Sequence, residues 1–180
     1  MENLIKVLKD GGIAVMPTDT IYGIVGLAQS SETVERIYNV RKRSPLKPCI
    51  VLIGDVSDLE KFSIDLSLEQ KNELKKYWPG PNSIIFDCKD EKFLYLHRGT
   101  NTLSFRLPAQ AELQNLLKQT GPLIAPSANI EGALPAKNIL EAREYFGDSV
   151  DLYMDGGELI GKPSKVIKMD VHGLVTILRA

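Results

Sequence analysis

A chain of 180 residues with 43% apolar and 25% charged side chains can bury one ordinary core, and its formal net charge of −1 excludes a surface built throughout for nucleic acid. Any polyanion site must come from local clustering of cations. Cys49 and Cys88 lie in apolar runs without CxxC spacing, which excludes a disulfide framework and fits reduced, buried thiols in a cytoplasmic protein.

His97 and His172 have no second ligand at i+3 or i+4, so no metal site is expected. No apolar run reaches membrane-spanning length, and no basic region followed by a long apolar one opens the chain. The working expectation is one domain over residues 1–180.

Residues 2–9 carry apolar positions at 4, 5 and 8, a helical stripe stopped by Gly11-Gly12. Residues 13–16 read as a buried strand ending at Pro17. The hydroxyl-rich loop Thr18-Asp19-Thr20 then leads into a second extended run over 21–28. Ser31 can cap a helix to Val40, with Val34, Ile37 and Tyr38 inward.

Between that helix and an apolar strand at 49–53 stands Arg41-Lys42-Arg43-Ser44-Pro45-Leu46-Lys47-Pro48, four cations in eight residues. Its prolines forbid continued helix and stiffen the loop. Charge held in this way can bind a polyanion, although Arg41 could equally serve its helix C-terminus against the macrodipole.

A polar helix is expected at 67–78, stopped by Trp78-Pro79-Gly80-Pro81. Strands are expected at 83–86 and 93–96, joined by a charged turn. In the run 102–107 the residues alternate: Leu103, Phe105 and Leu107 share one face, and Thr102, Ser104 and Arg106 the other. That polar face is either solvated or a ligand wall.

A helix at 109–120 and a buried strand at 122–125 lead into Pro126-Ser127-Ala128-Asn129, a small polar loop. Ligands of open α/β sheets lie beyond such strand ends. A helix at 139–146 and strands near 152–154, 165–169 and 174–178 finish the chain. Gly156 to Lys162 nearly matches a phosphate loop. Pro163 offers neither hydroxyl nor N–H there, and a strand-like run follows, so a P-loop NTPase is rejected.

Seven of these stretches occur in one order: Pro17-Thr18-Asp19-Thr20-Ile21-Tyr22-Gly23, residues 41–48, Trp78-Pro79-Gly80-Pro81, Phe105-Arg106-Leu107-Pro108, Ala125-Pro126-Ser127-Ala128-Asn129, Gly161-Lys162-Pro163-Ser164 and Leu178-Arg179. In this the chain resembles the YrdC/TsaC-type family of threonylcarbamoyl-adenylate synthases, in its short form. The family's usual Lys-x-Arg is Arg41-Lys42-Arg43 here.

The resemblance implies an α/β fold, a twisted open mixed sheet with flanking helices around a large concave cavity. It also implies that L-threonine, bicarbonate and ATP give threonylcarbamoyl-AMP and pyrophosphate, for threonylcarbamoyladenosine modification of tRNA by downstream transfer proteins. Mg²⁺ would be held mainly by ATP phosphates and water.

By resemblance Arg41, Arg43 and Lys47 are catalytic, with Arg43 and Lys47 on the triphosphate. Thr102, Asn129 and Arg179 resemble nucleotide contacts, and Thr20, Arg106, Ser127 and Ser164 threonine contacts. Two rival readings stand beside this one: a module binding double-stranded or transfer RNA, and a paralogue using another carbamoyl or acyl substrate.

Overall fold

The computed structural model describes residues 1–180. Nine strands form one open mixed sheet: β1 (Ala14–Pro17), β2 (Tyr22–Leu27), β3 (Ile50–Leu52), β4 (Asn82–Asp87), β5 (Thr102–Arg106), β6 (Leu123–Ile124), β7 (Leu152–Tyr153), β8 (Lys165–Met169) and β9 (Val175–Arg179). Their order across the sheet is β7-β1-β2-β6-β3-β5-β4-β8-β9. Six helices flank it: α1 (Glu2–Lys9), α2 (Ser31–Val40), α3 (Leu68–Leu74), α4 (Leu94–His97), α5 (Ala111–Thr120) and α6 (Ile139–Phe146).

Alternation along the strands sorts the core into two clusters. Ile13, Val15, Tyr22, Ile24, Val51 and Phe105 join the larger cluster on one face, with Val34 and Ile37 of α2 and Ala142 and Phe146 of α6. Ala14, Met16, Val25, Leu52 and Leu123 point the other way, and meet Leu4 and Leu8 of α1 and Leu113, Leu116 and Leu117 of α5. This second cluster has 10 residues against 33 in the first, because its helices cover only part of their face. Where β3, β5, β4 and β8 continue that face, Ile50, Ser104, Ile85 and Val166 line a cavity instead.

Local chemistry explains most boundaries. Ser30, and not the expected Ser31, caps α2 by accepting from Thr33 N, and Ser67 forms a reciprocal capping box with Gln70 at α3. Another expectation fails: residues 93–96, read as a strand, form the end of a 3₁₀ turn (Glu91–Phe93) and α4. Phe93 and Leu96 are both buried at a spacing of three, which one helical turn satisfies, and Asp90 accepts from Lys92 N at its start. A second 3₁₀ segment (Val56–Phe62), opened by an Asp55–Asp58 capping box, has no counterpart in the sequence reading. No helix is long and apolar enough to cross a membrane.

Candidate active site

The open part of the sheet face encloses a cavity of about 530 Å³, a size suited to a nucleotide or comparable ligand. Its lining carries three guanidiniums, Arg43, Arg106 and Arg179, and no carboxylate. They come from the basic loop, β5 and β9, segments far apart in sequence. The polar face of the alternating strand is a cavity wall, since Thr102, Ser104 and Arg106 all line this cavity while Leu103 and Phe105 are core.

The basic loop is held by its own backbone. Lys42 takes a left-handed conformation at φ 50°, turning the chain out of α2, and Arg43 N donates to Tyr38 O at 2.9 Å. Arg43 Nε donates to Lys47 O at 3.0 Å and Nη2 to Pro48 O at 2.9 Å, while Tyr38 OH donates to the same Lys47 carbonyl at 2.8 Å. Arg98 stacks on the Tyr38 ring, 3.9 Å from its centroid. Arg43 is thus fixed at the cavity wall.

The other two cations of the expected trio lie elsewhere. Lys47 is not a lining residue; its exposed ammonium pairs with Glu131, whose other oxygen accepts from Ser44 N and whose carboxyl these bonds hold below the usual range. Arg41 is buried behind the wall, donating from Nε to Asn129 O at 3.0 Å and from Nη2 to Asn129 Oδ1 at 3.1 Å and Ser127 Oγ at 3.3 Å. Burial pulls it down to about 10, so it stays protonated at neutral pH.

Ser127 and Asn129 line the cavity but are turned to one another. Ser127 Oγ donates to Asn129 Oδ1 at 2.6 Å, and Asn129 Nδ2 donates to Ile130 O and Ala133 O. Their side-chain N–H and O–H groups are already engaged, which leaves Ser127 Oγ an acceptor position for a ligand. β6 leads into this loop, and Ala128 N donates to Tyr22 O to hold it beside β2.

Thr20 and Thr18 share a hydroxyl contact of 3.1 Å beside Arg106, whose Nη2 is 3.0 Å from Asp19 Oδ1. On the far side Ser164 is buried, bonded through Oγ to Ser83 at 2.8 Å, and its carbonyl accepts from Arg179 Nε and Nη2 at 3.2 and 2.7 Å. The segment 155–164, where the sequence imitates a phosphate loop, is an irregular strap leading to β8. Tyr22 OH accepts from Gly156 N and donates to Gly157 O, both at 2.8 Å.

The structure therefore places Arg43, Thr20, Thr102, Arg106, Ser127, Asn129, Ser164 and Arg179 on one cavity, with Arg41 behind it and Lys47 outside. Sequence reasoning missed Ser104 as a lining residue, and Asp19 as the carboxylate behind the lining that pairs with Arg106. Asp19 stood as the one carboxylate in a hydroxyl loop, and Ser104 sat at the alternating position between Thr102 and Arg106. Ser104 Oγ has no protein partner.

The Sua5/YciO/YrdC family model, described as "Telomere recombination", matches residues 6–180. A threonylcarbamoyl-AMP synthase of Bacillus subtilis is 30% identical over 163 residues, covering 89% of this chain and 47% of that protein. One of Idiomarina loihiensis is 29% identical over 162 residues, with 87% and 86% covered. The crystal structure of Pyrococcus abyssi Sua5 complexed with L-threonine superposes with a TM-score of 0.88 at 27% identity, over 98% of this chain and 52% of that one. The chain spans about half the length of the Bacillus and Pyrococcus proteins. With its fold and nearly its whole length matched, the chain belongs to the Sua5/YciO/YrdC family.

Proposed function

We propose that this chain is an L-threonylcarbamoyladenylate synthase, with L-threonine and the ATP triphosphate held side by side in the one cavity. The observation that carries this is the lining itself: three guanidiniums and no carboxylate, in a chain of net charge −1. The names of the relatives, and the L-threonine in the Pyrococcus structure, support the choice of substrates.

In the reaction the threonine amine bonds to the carbon of bicarbonate, and water leaves. An oxygen of the resulting carbamate attacks the α-phosphorus, and the bond to the β-phosphate breaks to release pyrophosphate. Both partners of the second step are anions, so their approach needs fixed positive charge. Arg43 supplies it at the triphosphate, preset by its bonds to two loop carbonyls. Thr102 and Arg179 bound the nucleotide end, and Arg41 acts through Asn129 by holding the 126–129 loop. Arg106 takes the amino-acid carboxylate, with Thr20, Ser127 and Ser164 around it.

Mg²⁺ accompanying ATP would be held mainly by the phosphate oxygens and water. Threonylcarbamoyl-AMP then passes to proteins that modify tRNA.

Pyrophosphate release from ATP should require both threonine and bicarbonate. Release that is indifferent to threonine contradicts the reading.

A further inference from the structure

Arg106 and Asp19 form a buried ion pair, with 5% and 10% of their side chains exposed. Such a pair is weak support for a fold, because desolvating two ions opposes their attraction. That opposition is visible in both members: burial pushes the Asp19 carboxyl up and the Arg106 guanidinium down. The pairing is also incomplete. Asp19 Oδ1 lies 3.0 Å from Arg106 Nη2 but accepts no well-aligned hydrogen bond, and Arg106 Nε has no partner. Thr18 Oγ1, at 3.5 Å, is at the limit of bonding.

The surroundings define what Asp19 does. Arg106 also feels Arg179 across the cavity, which repels it, and Asp19 is the acidic group facing it. The cavity thus has two unlike regions. Arg43 and Arg179 make no ion pair, and the acid that Arg43 feels, Glu131, is tied to Lys47 outside the lining, whereas Arg106 lies directly against Asp19, a carboxylate just behind the lining.

We propose that Asp19 is a positioning and specificity-determining residue: it holds the Arg106 guanidinium and offsets its charge, so that this end takes the carboxylate of a zwitterionic amino acid and rejects phosphate groups. This rests on the synthase reading. A zwitterion loses little by approaching a charge-balanced pair and can engage both members, while a polyphosphate is repelled by Asp19 and drawn to the arginines beyond.

The test is steady-state pyrophosphate release by the full chain and its variants. Asp19→Asn should raise the threonine KM roughly tenfold and change the ATP KM less than about twofold, the split expected of one subsite losing its orientation. In the same variant pyrophosphate should become a competitive inhibitor against threonine, which it is not for the wild type. In an Arg106→Gln background Asp19→Asn should add nothing further, because the two residues act as a unit.

An unchanged threonine KM in Asp19→Asn, or effects that add fully in the double variant, would overturn the inference. If Asp19→Asn melts too low to assay, Asp19→Glu keeps the charge and displaces it by one methylene; a threonine KM equal to wild type overturns the inference equally. A wild-type chain without threonine dependence overturns the synthase reading and this inference together, so the two failures are distinct.

Discussion

Arg41 grips Asn129 at two points, its Nε on the backbone carbonyl at 3.0 Å and its Nη2 on the side-chain Oδ1 at 3.1 Å. This makes the first cation of the basic loop a support for the 126–129 loop that lines the cavity. A lysine cannot span both acceptors, because its ammonium is a single point and not a planar fork. Arg41→Lys should therefore lower stability by about 1–3 kcal/mol, the range for leaving buried polar groups without partners. Urea unfolding followed by circular dichroism measures this, and a loss near zero would show that the grip is incidental.

Arg43 and Lys47 separate cleanly. Arg43 lines the cavity, whereas the Lys47 ammonium lies outside it on Glu131. Arg43→Ala should reduce pyrophosphate release roughly a hundredfold to a thousandfold, as when one preset charge at a transition state is removed. Lys47→Ala should reduce it by no more than about fivefold, since exposed ion pairs contribute little. Comparable losses in the two variants would mean that Lys47 swings into the cavity with ATP.

The strap over 155–164 depends on a glycine. A Cβ on Gly161 would lie 1.8 Å from the Thr20 carbonyl oxygen, a backbone atom that cannot rotate away. Gly161→Ala must displace either the strap or the Thr20 loop, and misplacement of this order should lower kcat/KM for threonine roughly tenfold to a hundredfold. Gly157→Ala is the control. Its φ of 74° makes alanine strained, but nothing lies within 4 Å of the added carbon, so activity should stay near wild type.

Acid should loosen the end of the sheet that carries β7. Asp151 bonds Arg36 through both oxygens, at 2.6 and 2.9 Å, and accepts from Ile13 N at 2.8 Å. The Arg36 bonds hold its carboxyl below the ordinary value of 3.8. A depressed carboxylate contributes stability that is present above the unfolded value and is lost as pH falls through the folded one. Asp151→Asn should thus destabilise the protein at pH 7, and by less in acid below the ordinary carboxyl value of 3.8, as the lowered folded value is approached. Melting curves at pH 7 and in acid measure it; a constant difference across this range would rule out the charge as the cause.

Much of this architecture was legible because its signals are local. Alternation at 102–107 identified a two-faced strand, and the prolines at 45 and 48 a stiff basic loop. The strand expected at 93–96 failed because Phe-Leu-Tyr-Leu is an apolar run too short for its period to decide between strand and helix, and Asp90 capping decided it. The direction of each cation was not legible either. Arg41, Arg43 and Lys47 share a loop, but which faces the cavity depends on Lys42 turning through positive φ and on acceptors at Asn129 and Glu131, over eighty residues away. Asp19 acquires its meaning only when β5 brings Arg106 beside it.

Amino acid and nucleotide should occupy adjoining parts of one cavity. Calorimetric titration of L-threonine, alone and then with a saturating non-hydrolysable ATP analogue, tests it directly. The two ligands should strengthen each other's binding by the same factor, roughly fivefold or more, as linkage between coupled subsites requires. Threonine affinity that is identical with and without the analogue would contradict it.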